Sequence, residues 1–148
     1  SALKYAKEMF LSEDELEKLG KIEHIYCEVP KSWRKYIIHV LDPIFEQFSY
    51  LEINDIKIIN DRTHKQKVSV KFVNNISALF VATNEIETKI KINYIGKRNA
   101  IEKYFYNPFQ AFKTSINLFI DQIINKKKYV DWSSVAKMIK IIENGYTK

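Results

Sequence analysis

Three glycines in 148 residues are too few for a chain that cradles nucleotide phosphates. A dinucleotide site needs closely spaced glycines, so that backbone amides can approach the pyrophosphate at the start of a helix. Gly20, Gly96 and Gly145 are scattered, and neither a Rossmann fingerprint nor a P-loop can be assembled from them. No cofactor is therefore expected within this chain. Cysteine is scarcer still: Cys27 stands alone, which excludes an intrachain disulfide and makes a reducing cytoplasm the simplest setting. His24, His39 and His64 are too dispersed for any metal-ligand spacing, so no metal is expected. There is no Gly-x-Ser-x-Gly elbow, and Cys27 has no obvious partner histidine, which removes the usual nucleophilic constellations. No apolar run approaches the ~20 residues that cross a bilayer, and no signal peptide is expected, so a membrane is not an expected partner.

Arginine is also rare. Net charge is +6 and the pI is near 9.2, yet of 24 basic residues only Arg34, Arg62 and Arg98 carry the guanidinium favoured for phosphate and guanine recognition. A nucleic-acid partner is not expected. The opening Ser-Ala-Leu lacks an initiator Met and reads as the scar of a cleaved tag on a piece of something longer.

What the chain does have is material for a core. Apolar residues make up 46% of it, including nine Phe, nine Tyr and two Trp, which excludes disorder. This length suits one domain, residues 1–148. Ser12 followed by Glu15 forms a capping-box pattern, with Gly20 placed to end a helix over Glu13 to Leu19. Ile22 to Val29 reads as a strand closed by Pro30. Ser32 is placed to cap a helix running to Leu41, with a kink or restart expected at Asp42-Pro43.

Extended segments follow at Tyr50 to Ile59, Gln66 to Val73, Ile76 to Thr83 and Lys89 to Ile95, with a short one at Ile101 to Phe105. Val68, Val70 and Phe72 alternate with Lys67, Ser69 and Lys71, so one face should be buried and one wet. Ser77 to Ala82 is apolar on both sides, which makes it central or an interface, and Leu79 and Val81 are the expected subunit contact. Asn74-Asn75 suits a two-residue hairpin turn. Asn107-Pro108 then opens a helix whose Phe109, Phe112, Ile116, Phe119, Ile120 and Ile123 should lie on the sheet, with Lys126 to Lys128 at its end. Asp131 caps a last helix with Val135, Ile139, Ile142 and Tyr146 on one face. This order predicts an α+β fold: an open, mostly antiparallel, mixed sheet covered on one face by helices.

The stretch Trp33-Arg34-Lys35-Tyr36-Ile37-Ile38-His39-Val40-Leu41-Asp42-Pro43 resembles the "w-x-x-Y-x-x-H-x-L-D-x" helix of the glucose-fructose oxidoreductase, inositol dehydrogenase and MocA (Gfo/Idh/MocA) family. Leu3-Lys4-Tyr5 is similar to the segment after that family's nucleotide-domain crossover. Val70 to Ala82 resembles its hairpin, with Asn75 where glycine is commoner. Ile92 to Gly96, Phe109 to Asn125 and Trp132 to Gly145 look like its remaining strand end and closing helices.

The resemblance implies a carboxy-terminal half that supplies a substrate pocket and an open sheet for homodimer or higher assembly. It also implies an amino-terminal Rossmann domain, absent here, that holds NAD or NADP. The implied activity is oxidation or reduction of a sugar-like or related small molecule at a hydroxyl or carbonyl. By the same resemblance His39 is the acid/base, with Lys35 where many members carry aspartate, and Tyr36 is a hydroxyl donor one turn away. Lys35 should disfavour imidazolium at His39. Trp33 and Arg34 are the candidate substrate-binding residues. The plain alternative for the chain is a non-catalytic α+β interaction or ligand-binding module, with His39 and Trp33 packed for structure.

Overall fold

A computed structural model describes residues 6–60, 63–125 and 131–146, so Leu3 to Tyr5 and Lys126 to Lys128 lie outside the described residues. Six strands form one mixed sheet: β1 (Ile22–Val29), β2 (Ile53–Ile59), β3 (Gln66–Phe72), β4 (Ser77–Ala82), β5 (Lys91–Gly96) and β6 (Ala100–Tyr104), in the spatial order β2-β3-β4-β1-β5-β6. Only the central pair β1 and β4 runs parallel, with Cys27 opposite Phe80; the other four pairings are antiparallel. Asn75 takes a left-handed φ of 62° and closes the β3–β4 hairpin, where Lys71 pairs with Ser77. An amide side chain tolerates that conformation, which is why the turn was readable.

The face carrying Ile25, Cys27, Val68, Val70, Phe72, Phe80, Ile92 and Tyr94 is buried. Over it lie α1 (Glu13–Leu19), α2 (Trp33–Tyr36), α3 (Ile38–Gln47) and α5 (Trp132–Asn144). Helix α1 begins on a complete capping box, with Ser12 accepting from the Glu15 amide and Glu15 accepting from the Ser12 amide. The Lys103 ammonium then ties both Glu15 carboxylate oxygens, each at 2.6 Å, to β6. Ser12→Ala should cost about 1 kcal/mol, read as a shift in the urea midpoint with unchanged slope.

Several expectations are corrected. The helix predicted to break at Asp42-Pro43 runs straight through both, and the interruption falls at Ile37 instead. Pro43 has no N–H to give the His39 carbonyl, but it follows a loosened first turn in which Val40 and Leu41 both donate to the Ile37 carbonyl. Ser32, the expected cap, makes no side-chain capping bond. The buried stripe of α5 is Ser134, Met138 and Ile141; of the predicted face, Val135 and Ile142 pack against the core while Ile139 and Tyr146 are exposed.

The largest correction concerns α4 (Pro108–Asn125). Its apolar stripe does not lie on the sheet: only Ala111 is buried, while Phe109, Phe112, Phe119 and Ile123 are well exposed. Helical periodicity states that a face is apolar, not what covers it. Conversely, the sheet's second face is ionic rather than greasy. Leu79 is half-buried and Val81 buried among Lys67, Ser69, Tyr26 and Glu28. Lys91 bridges Glu28 at 3.2 Å and Glu102 at 3.6 Å there.

Candidate functional site

The residues that the sequence placed in one motif separate in space. Trp33, at the start of α2, is 2% exposed and donates its indole N–H to the Ile142 carbonyl at 3.0 Å. It is an anchor between α2 and α5, and it lines no cleft among those described. Arg34 is exposed and stacks its guanidinium 4.5 Å from the Tyr146 ring centroid. Lys35 is exposed as well. Tyr36 and His39, one helical turn apart, are the pair brought together: their rings meet edge to face with centroids 5.7 Å apart.

Both line a cleft of about 550 Å³ whose other walls are Ile90, Phe105, Pro108, Phe109, Ala111 and Phe112. Four segments of chain converge on it: the α2–α3 junction, the run into β5, the end of β6, and the first turns of α4. Asn107 caps α4 by accepting from the Gln110 amide, which starts the helix at the cleft mouth. The Lys31 ammonium stands over the Tyr36 ring, 5.5 Å from its centroid. Lys31 holds a left-handed φ of 53°, sparsely populated for a residue with a side chain, and its backbone is bonded to Glu85 and Asn84. Lys31 and the phenylalanine walls were not singled out from sequence as site residues. The phenylalanines read as core, and nothing in the pattern marks a lysine that follows a strand-closing proline.

Burial holds the His39 imidazole below its ordinary pKa of 6.5, with Asp42 opposing the shift. The direction matches the expectation, but the cause is desolvation rather than the neighbouring Lys35. A neutral imidazole at pH 7 can accept a proton from a substrate oxygen. The shift also carries a stability consequence. As pH falls through 6.5, the unfolded chain takes up this proton before the folded one does, so acid erodes stability until pH has passed below the native value. The urea midpoint should decline over that window, and less steeply in His39→Asn.

The three glycines do not fit a dinucleotide. A Cβ on Gly96 would meet the Leu19 carbonyl oxygen at 2.2 Å, and one on Gly145 would meet the Trp33 ring at 2.3 Å. Gly20, at φ 70°, ends α1 beside Arg98. All three serve turns or close packing, and they sit apart from the cleft.

No family model and no curated protein matches the sequence. Solved structures do match in fold. Scyllo-inositol dehydrogenase from Lactobacillus casei, which has also been solved with bound NAD(H) and scyllo-inositol, matches with a TM-score of 0.65 at 16% identity in its apo form. That match covers 98% of this chain and 58% of the other. Myo-inositol 2-dehydrogenase from Lactobacillus plantarum gives a TM-score of 0.70 at 12% identity, over 97% of this chain and 57% of that one. GenD2 from gentamicin A biosynthesis, solved with NAD, gives 0.70 at 8% identity, over 95% and 56%. The chain thus spans less than three-fifths of the length of the dehydrogenases it matches. Its open mixed sheet under helices is the fold of the carboxy-terminal domain of inositol dehydrogenases.

Proposed function

We propose that this chain is the substrate-binding half of a nicotinamide-dependent oxidoreductase acting at a hydroxyl or carbonyl of a small molecule. The observation that carries the reading is the pairing of Tyr36 with a desolvated His39 at the cleft, within a fold shared with NAD-bound dehydrogenases. His39 exchanges the proton at the reacting oxygen, and the Tyr36 hydroxyl orients it. Lys35, exposed on α2, takes no direct part.

NAD or NADP belongs to a separate nucleotide-binding half. Beyond the cleft walls, the exposed apolar stripe of α4 continues through Ile116, Phe119, Ile120 and Ile123, which offers such a half a surface beside the reacting group. Homo-oligomer contact through the open sheet face is proposed from the family resemblance alone, since Val81 is buried and the face is ionic rather than apolar. A reducing cytoplasm is the proposed setting, on the ground of the lone cysteine.

The coding sequence upstream of Ser1 tests it. A βαβ unit with clustered glycines is expected there. A stop codon or an unrelated module would overturn the oxidoreductase reading in favour of an interaction module, for which the exposed stripe of α4 is the supporting observation.

A further inference from the structure

The chemistry of the cleft walls narrows the substrate. Of the eight lining residues, only Tyr36 and His39 carry polar side-chain atoms; Lys31, over the Tyr36 ring, does not line the cleft. Ile90, Phe105, Pro108, Phe109, Ala111 and Phe112 supply flat or branched hydrocarbon. The cleft, about 550 Å³, lies within the range of small-molecule sites.

We infer that this cleft takes a molecule with an apolar ring or chain that bears its reacting hydroxyl or carbonyl at one end, and not a free polyol. The inference rests on the proposed oxidoreductase role of the same site and specifies its substrate class. A hydroxyl enters an apolar cleft favourably only if it finds a partner; each one left unserved weakens binding by on the order of tenfold. On this half of the site, two polar side chains at one edge serve one oxygen, or two adjacent ones. They do not serve a ring hydroxylated at every carbon. An apolar body instead gains from leaving water against phenylalanine faces, with offset or edge-on ring contacts available at Phe105, Phe109 and Phe112.

Phe109 makes the test clean because the residue is 74% exposed, so its replacement should leave the fold intact. The chain is titrated by calorimetry with 1,2,3,4-tetrahydro-2-naphthol, which has one hydroxyl on a hydrocarbon body, and with scyllo-inositol. The naphthol should bind at least about tenfold more tightly. Phe109→Gln should weaken it about fivefold or more, while leaving the inositol unchanged. Equal or tighter inositol binding, indifference of the naphthol to Phe109→Gln, or binding of neither compound overturns the inference.

The longer protein separates this inference from the reading beneath it. If the naphthol binds as expected but no reduced nicotinamide ever forms, the oxidoreductase role fails and the cleft assignment stands. If the longer protein oxidises scyllo-inositol and leaves the naphthol untouched, the role stands and the substrate class is wrong.

Discussion

Trp33→Ala should lower the unfolding free energy by about 3–5 kcal/mol. The indole is buried against α5, and its N–H is bonded to the Ile142 carbonyl at 3.0 Å, so truncation leaves both a large void and an orphaned carbonyl. Small domains hold only about 5–15 kcal/mol in total; the variant should populate unfolded chain at modest denaturant. Gly145 provides the control. A methyl group there would sit 2.3 Å from Trp33 Cζ2 and 2.9 Å from the Ile141 carbonyl oxygen. Gly145→Ala alone should therefore cost about 1–3 kcal/mol by overpacking. In the Trp33→Ala background the clash with the ring is gone and only the 2.9 Å approach to the Ile141 carbonyl remains, so the same methyl should cost less. Chemical denaturation of the four proteins in the cycle gives the coupling directly. Additive losses would mean that the two residues do not share one contact.

The pairing of Trp33 with Gly145 also shows where sequence reasoning stops. Trp33 lies in a motif whose resemblance points to substrate, and its burial against a helix 109 residues downstream leaves no local trace. What was legible was local: the capping box of Ser12 and Glu15, the positive φ of Asn75, the alternation of Val68, Val70 and Phe72, and the cap at Asp131. Each depends on interactions within a few residues. The parallel pairing of β1 with β4 could not be read that way, because His24 meets Ser77 across more than fifty residues. The periodicity of α4 was read correctly as amphipathic, but its occupant was misassigned, since an apolar stripe is equally consistent with a sheet beneath it and with an open surface. Of the site, Tyr36 and His39 were found because they recur at a helical spacing in a known motif. The phenylalanine walls were indistinguishable from core residues until four separate segments were seen to converge. Pro43 misled because proline is a general helix breaker, whereas here the turn before it had already loosened.

In the longer protein that the proposed function requires, His39→Asn should lower kcat by about 10²–10⁴-fold with little change in KM. Asparagine keeps the size and a hydrogen-bonding edge but cannot take a proton, so substrate still binds while proton exchange at its oxygen is lost. Because burial holds the His39 pKa below 6.5, kcat/KM for the unsubstituted protein should remain level as pH falls to that value and decline only at lower pH. The residual activity of His39→Asn should show no decline in that window. Tyr36→Phe separates orientation from proton transfer. It should cost less, raise KM more than it lowers kcat, and leave the pH profile in place, because the imidazole that titrates is still present. If instead His39→Asn loses activity only in proportion to lost folded protein, and the pH profile survives the substitution, His39 is a packing residue, and the proton must be handled by a group on the nucleotide-binding half.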